Sequence, residues 1–147
     1  MEHKLGITGS RHGCSPIQMF TGLDYILNRV VNIGELHHGD CYGVDTQMAR
    51  LFEHNNGTRV HCHPPEDDKY RSFVGTQQGD VMYEPTGYLE RDRDIVDACD
   101  FLVGFPNTME PKTRSGTWYT LRYAVRKGTP ARIVFPDGTI EVAEKIL

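Results

Sequence analysis

The sequence predicts an α/β fold on a parallel sheet, because short apolar runs alternate with stretches of helical period from Lys4 to Phe135. One run, Phe101-Leu102-Val103-Gly104-Phe105, is almost unbroken in apolar character, which suits a strand buried on both faces at the centre of the sheet. Right-handed crossovers between parallel strands then place helices over the sheet.

Lys4 to Thr8 is the first expected strand, stopped at Gly9-Ser10-Arg11. Ser15-Pro16 supplies a cap and a first-turn proline for a helix reaching about Asn32, with Ile17, Phe20, Leu23, Leu27 and Val30 as its expected inward stripe. Glu35 to His38 is the second strand, and a helix from Val44 to about His54 carries Val44, Met48 and Leu51 or Phe52 before Asn56-Gly57 ends it. Arg59 to His63 is the third strand. From Pro64 to about Thr86 the chain is too polar and too long for an ordinary connection, so a long loop insertion is expected there: a lid, an oligomer contact or a mobile loop. A helix over about Gly87 to Ala98 precedes the central strand, and Ser115-Gly116-Thr117 opens another whose inward stripe is Trp118, Leu121 and Val125. Ala131 to Phe135 is the fifth strand, and after Pro136-Asp137-Gly138 the chain is expected to form a strand, a short helix, or both in part.

The 147 residues, 38% of them hydrophobic, are the size and composition of one soluble domain spanning 1–147 with a single core, which excludes a disordered or fibrous chain. No apolar stretch approaches the roughly 20 residues of a membrane span, and the opening residues lack a secretory apolar run, so a cytoplasmic location is expected. Sixteen basic and twenty acidic residues give a formal charge of -4, which provides no overall pull toward nucleic acid. Cys14, Cys41, Cys62 and Cys99 form no Cys-x-x-Cys pair and are expected as reduced thiols.

In an open parallel sheet, ligands gather beyond the carboxyl ends of the strands, so the loops leaving those ends form the walls of one cleft. They bring Gly9-Ser10-Arg11-His12-Gly13, Gly39-Asp40-Cys41-Tyr42-Gly43-Val44-Asp45, the Arg91 region and Arg114-Ser115-Gly116-Thr117. Glycine lets a backbone approach an anion, free amides at a helix start donate to phosphate oxygens, and arginine adds charge-assisted hydrogen bonds. Neither glycine-rich loop matches a P-loop or a full Gly-x-Gly-x-x-Gly pattern. Arg91 and Ile95 share a helical face from which Arg93 points away. Asp40 and Asp45 flank the Gly43 turn, where they bind ribose hydroxyls, act as acid and base, or cap the next helix. His37 and His38 fall near the mouth of the cleft, where they contact ligand or, as the stronger expectation, pack at the rim or in the core. His61 and His63 share one side of a strand, but spacing supplies no further ligands, so no metal site is expected. Trp118 and Tyr119 are candidates to stack a base, with the core as the stronger expectation for Trp118 at its helical spacing.

Taken in order, Gly-Ser-Arg at 9–11, Gly-Asp-x-x-Gly-Val-Asp at 39–45, Arg-Asp-x-x-Ile at 91–95 and Ser-Gly-Thr-Trp at 115–118 resemble the motifs of the SLOG superfamily. That superfamily includes the Rossmann domain of DNA-processing protein A, the Lonely guy phosphoribohydrolases, molybdenum-cofactor carriers and sensors of nucleotide-derived signals. The resemblance covers about Lys4 to Phe135 and is nearest to small single-domain bacterial and phage members. It implies a Rossmann-like, doubly wound parallel sheet of about five strands with helices on both faces, and a homo-oligomer. It further implies ligand contacts at Gly9, Ser10, Arg11, Gly39, Asp40, Gly43, Asp45, Arg91, Ser115, Gly116 and Thr117, to which the sequence adds Arg114 as a phosphate partner. The catalytic Lonely guy motif reads Pro-Gly-Gly-x-Gly-Thr-x-x-Glu. Here Lys112, Thr113 and Arg114 replace Pro-Gly-Gly, and Thr120 stands in place of the glutamate.

The expected function is therefore the binding of a nucleotide or nucleotide-derived small molecule by a sensor, carrier or sequestering protein that requires no cofactor and contacts no membrane. The alternative is a hydrolase of a nucleotide N-glycosidic bond, in which Asp40 or another carboxylate replaces the missing glutamate and Arg91 binds phosphate. A DNA-binding module is the third reading, disfavoured by the acidic balance.

Overall fold

The structure is a computed structural model that describes residues 2–30, 32–53 and 57–147. Its elements are β1 (His3–Gly9), α1 (Pro16–Arg29), β2 (Ile33–His38), α2 (Val44–Phe52), β3 (Arg59–Cys62), β4 (Val81–Met82), α3 (Tyr88–Ala98), β5 (Phe101–Phe105), α4 (Gly116–Lys127), β6 (Ala131–Val134), β7 (Ile140–Val142) and α5 (Ala143–Ile146). The strands form one sheet in the order β4-β3-β2-β1-β5-β6-β7, parallel throughout except for the antiparallel edge strand β7. This is a Rossmann-like α/β sheet, with seven strands among the described residues where about five were expected. The two additions are short edge strands, β4 inside the 64–86 insertion and β7 after the Pro136-Asp137-Gly138 turn; the chain end forms both a strand and a helix.

The sheet is doubly wound because strand side chains alternate between two cores. Leu5, Ile7, Leu36, Val103 and Phe105 pack with Ile26 of α1 and Val44, Met48 and Phe52 of α2. On the other face Leu102 and Ile133 pack with Ile95 of α3 and with Trp118, Leu121 and Ala124 of α4. Phe101 to Phe105 is indeed a central strand, flanked by β1 and β6. Among the described residues no helix is long and apolar enough to cross a membrane.

Of the inward stripe that periodicity suggests next to and within α1, Leu23 packs on the core and Val30 is buried, but the rest differs. Gln18, Gly22 and Ile26 are the buried residues of α1, whereas Phe20 is 69% and Leu27 62% exposed, and Ile17 also faces outward. Two contacts set this rotation. The Gln18 amide donates to the carbonyls of Pro106 (2.8 Å) and Val134 (2.7 Å), and a Cβ at Gly22 would sit 2.3 Å from the Phe105 ring. A satisfied buried amide and a close helix approach outweigh the transfer of exposed leucine and phenylalanine, a pattern that hydrophobicity alone cannot reveal. In α2 the buried member of the Leu51/Phe52 pair is Phe52. The expected end of that helix at His54 to Asn56 lies outside the described residues.

Candidate functional site

The sheet reverses its winding between β1 and β5, and a cleft of about 610 Å³ opens beyond the carboxyl ends of these strands. Ser10 ties the rim together: its amide donates to the Phe105 carbonyl (3.0 Å), and its own carbonyl accepts from the amides of Gly13 (3.1 Å) and Val44 (3.0 Å). Gly43 makes the last bond possible. Its φ of +82° is left-handed, and a Cβ there would meet the Ser10 carbonyl oxygen at 2.3 Å.

Gly9, Ser10, Arg11, Asp45, Arg91, Arg114, Ser115, Gly116 and Thr117 all line this cleft. Ser115 caps α4 by accepting from the Trp118 amide (3.3 Å), so the first-turn amides of Gly116 and Thr117, which lack helical acceptors, are presented at the cleft wall. Arg11 lies with its guanidinium carbon 4.0 Å from the centre of the Tyr70 ring. Among the described residues, Arg11, Lys112 and Arg114 form no ion pair.

Gly39, Asp40 and Gly43 do not reach the cleft lining; they position it. Gly39 gives room to Arg91, whose guanidinium would lie 2.5 Å from a Cβ there and which donates to the Gly39 carbonyl. Asp40, expected to touch ligand and to serve as a catalytic carboxylate, is fully buried. Its side chain accepts from Arg71 Nε (2.8 Å), Ser72 Oγ (2.9 Å) and the Val74 amide (3.1 Å), so it anchors the segment that carries Tyr70.

Arg91 is buried, and its Nε donates to Asp92 at 2.8 Å. The guanidinium thus bonds chiefly to its own protein, joining the β2 loop to α3 while one edge faces the cleft. Arg93 lies outside the lining and donates to the Tyr119 hydroxyl at 2.8 Å. Trp118 is in the core with its Nε1 on Thr108 Oγ1 (3.0 Å), and Thr120 is buried with its hydroxyl on the Gly116 carbonyl (2.7 Å). His37 and His38 are both buried away from the lining.

Asp45 has an arrangement that sequence reasoning left open. It does not cap α2: Oδ2 instead accepts from the amides of Gly39 (3.1 Å) and Cys41 (3.3 Å), while buried Oδ1 has no hydrogen-bond partner among the described residues. Burial pushes its carboxyl up to about 7, against the opposing pull of Arg91. Asp92 is likewise raised by burial and pulled down by Arg91. The four cysteines are free, and burial pushes the cleft thiol of Cys41 up to about 11, so it stays protonated at neutral pH.

His12, which sits in the first of the expected loops, also lines the cleft, together with residues that the sequence reading missed: Tyr70, Tyr88, Asn107, Thr108 and Lys112. Tyr70 belongs to the insertion and gave no periodic signal. Asn107, Thr108 and Lys112 follow the central strand on the β5–α4 loop, a position from which they could have been found.

No family model matches the chain, and no curated protein sequence matches it. Among solved structures, the chain is similar to the molybdenum cofactor binding protein from the phototrophic bacterium Rippkaea orientalis, with a TM-score of 0.59 and 14% identity over 92% of this chain and 77% of that one. At that identity the likeness concerns the fold.

Proposed function

We propose that this protein belongs to the SLOG superfamily and binds a nucleotide or nucleotide-derived ligand in the β1–β5 cleft, as a sensor, carrier or sequestering protein. The observation that carries this reading is the meeting of the α4 N-terminus with Arg11, Lys112 and Arg114 around one cavity. Helix-start amides favour an anion by about 0.3–1 kcal/mol, and each hydrogen bond to a charged group adds roughly 1.5–3 kcal/mol. Three such cations therefore outweigh the helix field, so phosphate affinity rests mainly on them. Arg91 and Asp92 neutralise one another, which leaves a cationic surplus over Asp45. Tyr88 offers an aromatic ring for a base, while the Tyr70 ring carries the Arg11 guanidinium, and the cavity volume lies in the usual range for small-molecule sites. The structural neighbour is named for a small-molecule cofactor, which agrees with a ligand-holding role.

Calorimetric titration with nucleoside mono-, di- and triphosphates, ADP-ribose and cyclic nucleotides tests this reading. One ligand is expected to bind at one site per chain, and an Arg11→Ala/Arg114→Ala double variant to bind it at least about tenfold more weakly. Silence across the panel from folded protein contradicts the proposal.

Asp45 favours a second reading, hydrolysis of a nucleotide N-glycosidic bond. A carboxyl near pKa 7 with an unpartnered oxygen can give a proton to a departing base while water adds to the ribose carbon. Chromatography for released base distinguishes the two: intact nucleotide after long incubation leaves binding alone, and base release that disappears in Asp45→Asn supports turnover.

A further inference from the structure

On the sheet face opposite Leu36, at the β2–β3 edge, three side chains point into one space. Strand alternation places Glu35 and His37 on the same side of β2, and the parallel register sets His61 of β3 directly beside His37. Glu35 Oε1 lies 2.8 Å from His37 Nε2 and 3.6 Å from His61 Nε2, and the three atoms all fall within 4.8 Å of one another. None of the three residues lines the cleft described above. The His61 side chain is only 10% exposed, yet its Nε2 has no hydrogen-bond partner among the described residues. An unpartnered buried imidazole nitrogen costs free energy unless something occupies its lone pair.

We propose that Glu35, His37 and His61 form a binding site for a divalent transition-metal ion, zinc being the best match to the donor set. Zinc takes imidazole nitrogen and carboxylate oxygen at about 2.0–2.1 Å in a tetrahedral array, which spaces ligand atoms about 3.3 Å apart, between the two measured separations. The distal nitrogens are already supported. His37 Nδ1 lies 2.8 Å from His63 Nε2, and His61 Nδ1 lies 2.9 Å from the Tyr83 hydroxyl. When each Nδ1 carries the hydrogen, His63 and Tyr83 accept it and both Nε2 lone pairs face Glu35, the outer-shell pattern of metal-ligating histidines. Tyr83 also stacks on His63, with ring centres 4.1 Å apart, and so holds that second layer. The Glu35 side chain is 24% exposed, which leaves water access to the fourth position.

A neighbouring trio, His38, Asp40 and Cys62, does not qualify. His38 Nδ1 accepts from the Asp40 amide (2.9 Å), which assigns the ring hydrogen to Nε2, and the Asp40 carboxylate is committed to the Arg71–Val74 segment. Its Nε2 thus has a hydrogen to donate and no lone pair to offer.

The test uses the chelator-treated full chain, titrated separately with Zn²⁺, Co²⁺ and Mg²⁺. One Zn²⁺ or Co²⁺ per chain is expected, with the visible absorption of tetrahedral Co²⁺ and a rise in Tm on zinc addition, and no binding of Mg²⁺. Glu35→Gln and His61→Gln, each shown to be folded by circular dichroism, are expected to weaken zinc by at least about 100-fold, and Tyr83→Phe by about tenfold. Cys62→Ser is expected to bind as the parent does. Absence of Zn²⁺ and Co²⁺ binding overturns the proposal, as does undiminished affinity in both Glu35→Gln and His61→Gln, comparable Mg²⁺ binding, or loss of zinc in Cys62→Ser.

Discussion

Two buried charges in the cleft determine its behaviour at the residue scale. Asp45 binds its proton more tightly in the folded chain than the ordinary value of 3.8 allows, because burial outweighs the attraction of Arg91. Its contribution to stability is therefore fully present below about pH 4 and is lost as pH rises through about 7. Asp45→Asn keeps an acceptor for the Gly39 and Cys41 amides and never ionises. Urea unfolding is expected to show the variant gaining on the parent by a few kcal/mol more at pH 8 than at pH 4, and an equal difference at both pH values contradicts the assignment. Arg91 behaves in the opposite way. Arg91→Ala leaves Asp92 buried without its partner and removes a donor from the Gly39 carbonyl, so a loss of about 3–5 kcal/mol is expected in the same measurement at pH 7. A loss below about 1 kcal/mol means that water replaces the guanidinium at little cost.

Among the elements, the 64–86 insertion is least explained by its own sequence and most by a distant residue. Its two-residue strand β4 extends the sheet edge, and Asp40, just after β2, gathers Arg71, Ser72 and Val74 so that the Tyr70 ring stacks on the Arg11 guanidinium at the cleft wall. Asp40→Ala is expected to speed amide exchange at Ser72 and Val74, whose amides donate to Asp40 carbonyl and carboxylate oxygens, while β5 exchange is unchanged. Uniform acceleration over the sheet assigns Asp40 a global role instead. The strands and helix starts were legible in the sequence because apolar period and caps act locally: Ser15 and Ser115 are N-caps in the structure, and Phe101–Phe105 is the central strand. The face of α1 was not legible, since Gln18 and Gly22 owe their burial to Pro106, Val134 and Phe105, all more than 80 positions away.

For the whole molecule, the carboxyl ends of β1, β2 and β5 bring distant segments to one cavity, as the motif order suggested for Ser10, Arg11 and Ser115 to Thr117. Motif order could not distinguish the residues that line this cavity from those that support it, because Asp40 in the loop after β2 and Asp45 in the first turn of α2 belong to one motif, and their roles depend on which neighbours reach their oxygens. A homo-oligomer remains the proposed assembly. Ile17, Phe20 and Leu27 leave an apolar stripe on the outer face of α1, so sedimentation is expected to give at least twice the chain mass, and Phe20→Glu to lower it. A parent that sediments as a monomer at high concentration rejects this.

The proposed anion site at the start of α4 is tested most directly by amide chemical shifts in the labelled chain as the tightest-binding nucleotide of the panel is added. Saturable shifts centred on Ser10, Gly116 and Thr117, displaced by inorganic phosphate at high concentration, are predicted. Saturable shifts confined to other surfaces, with these three amides unmoved, would contradict the account.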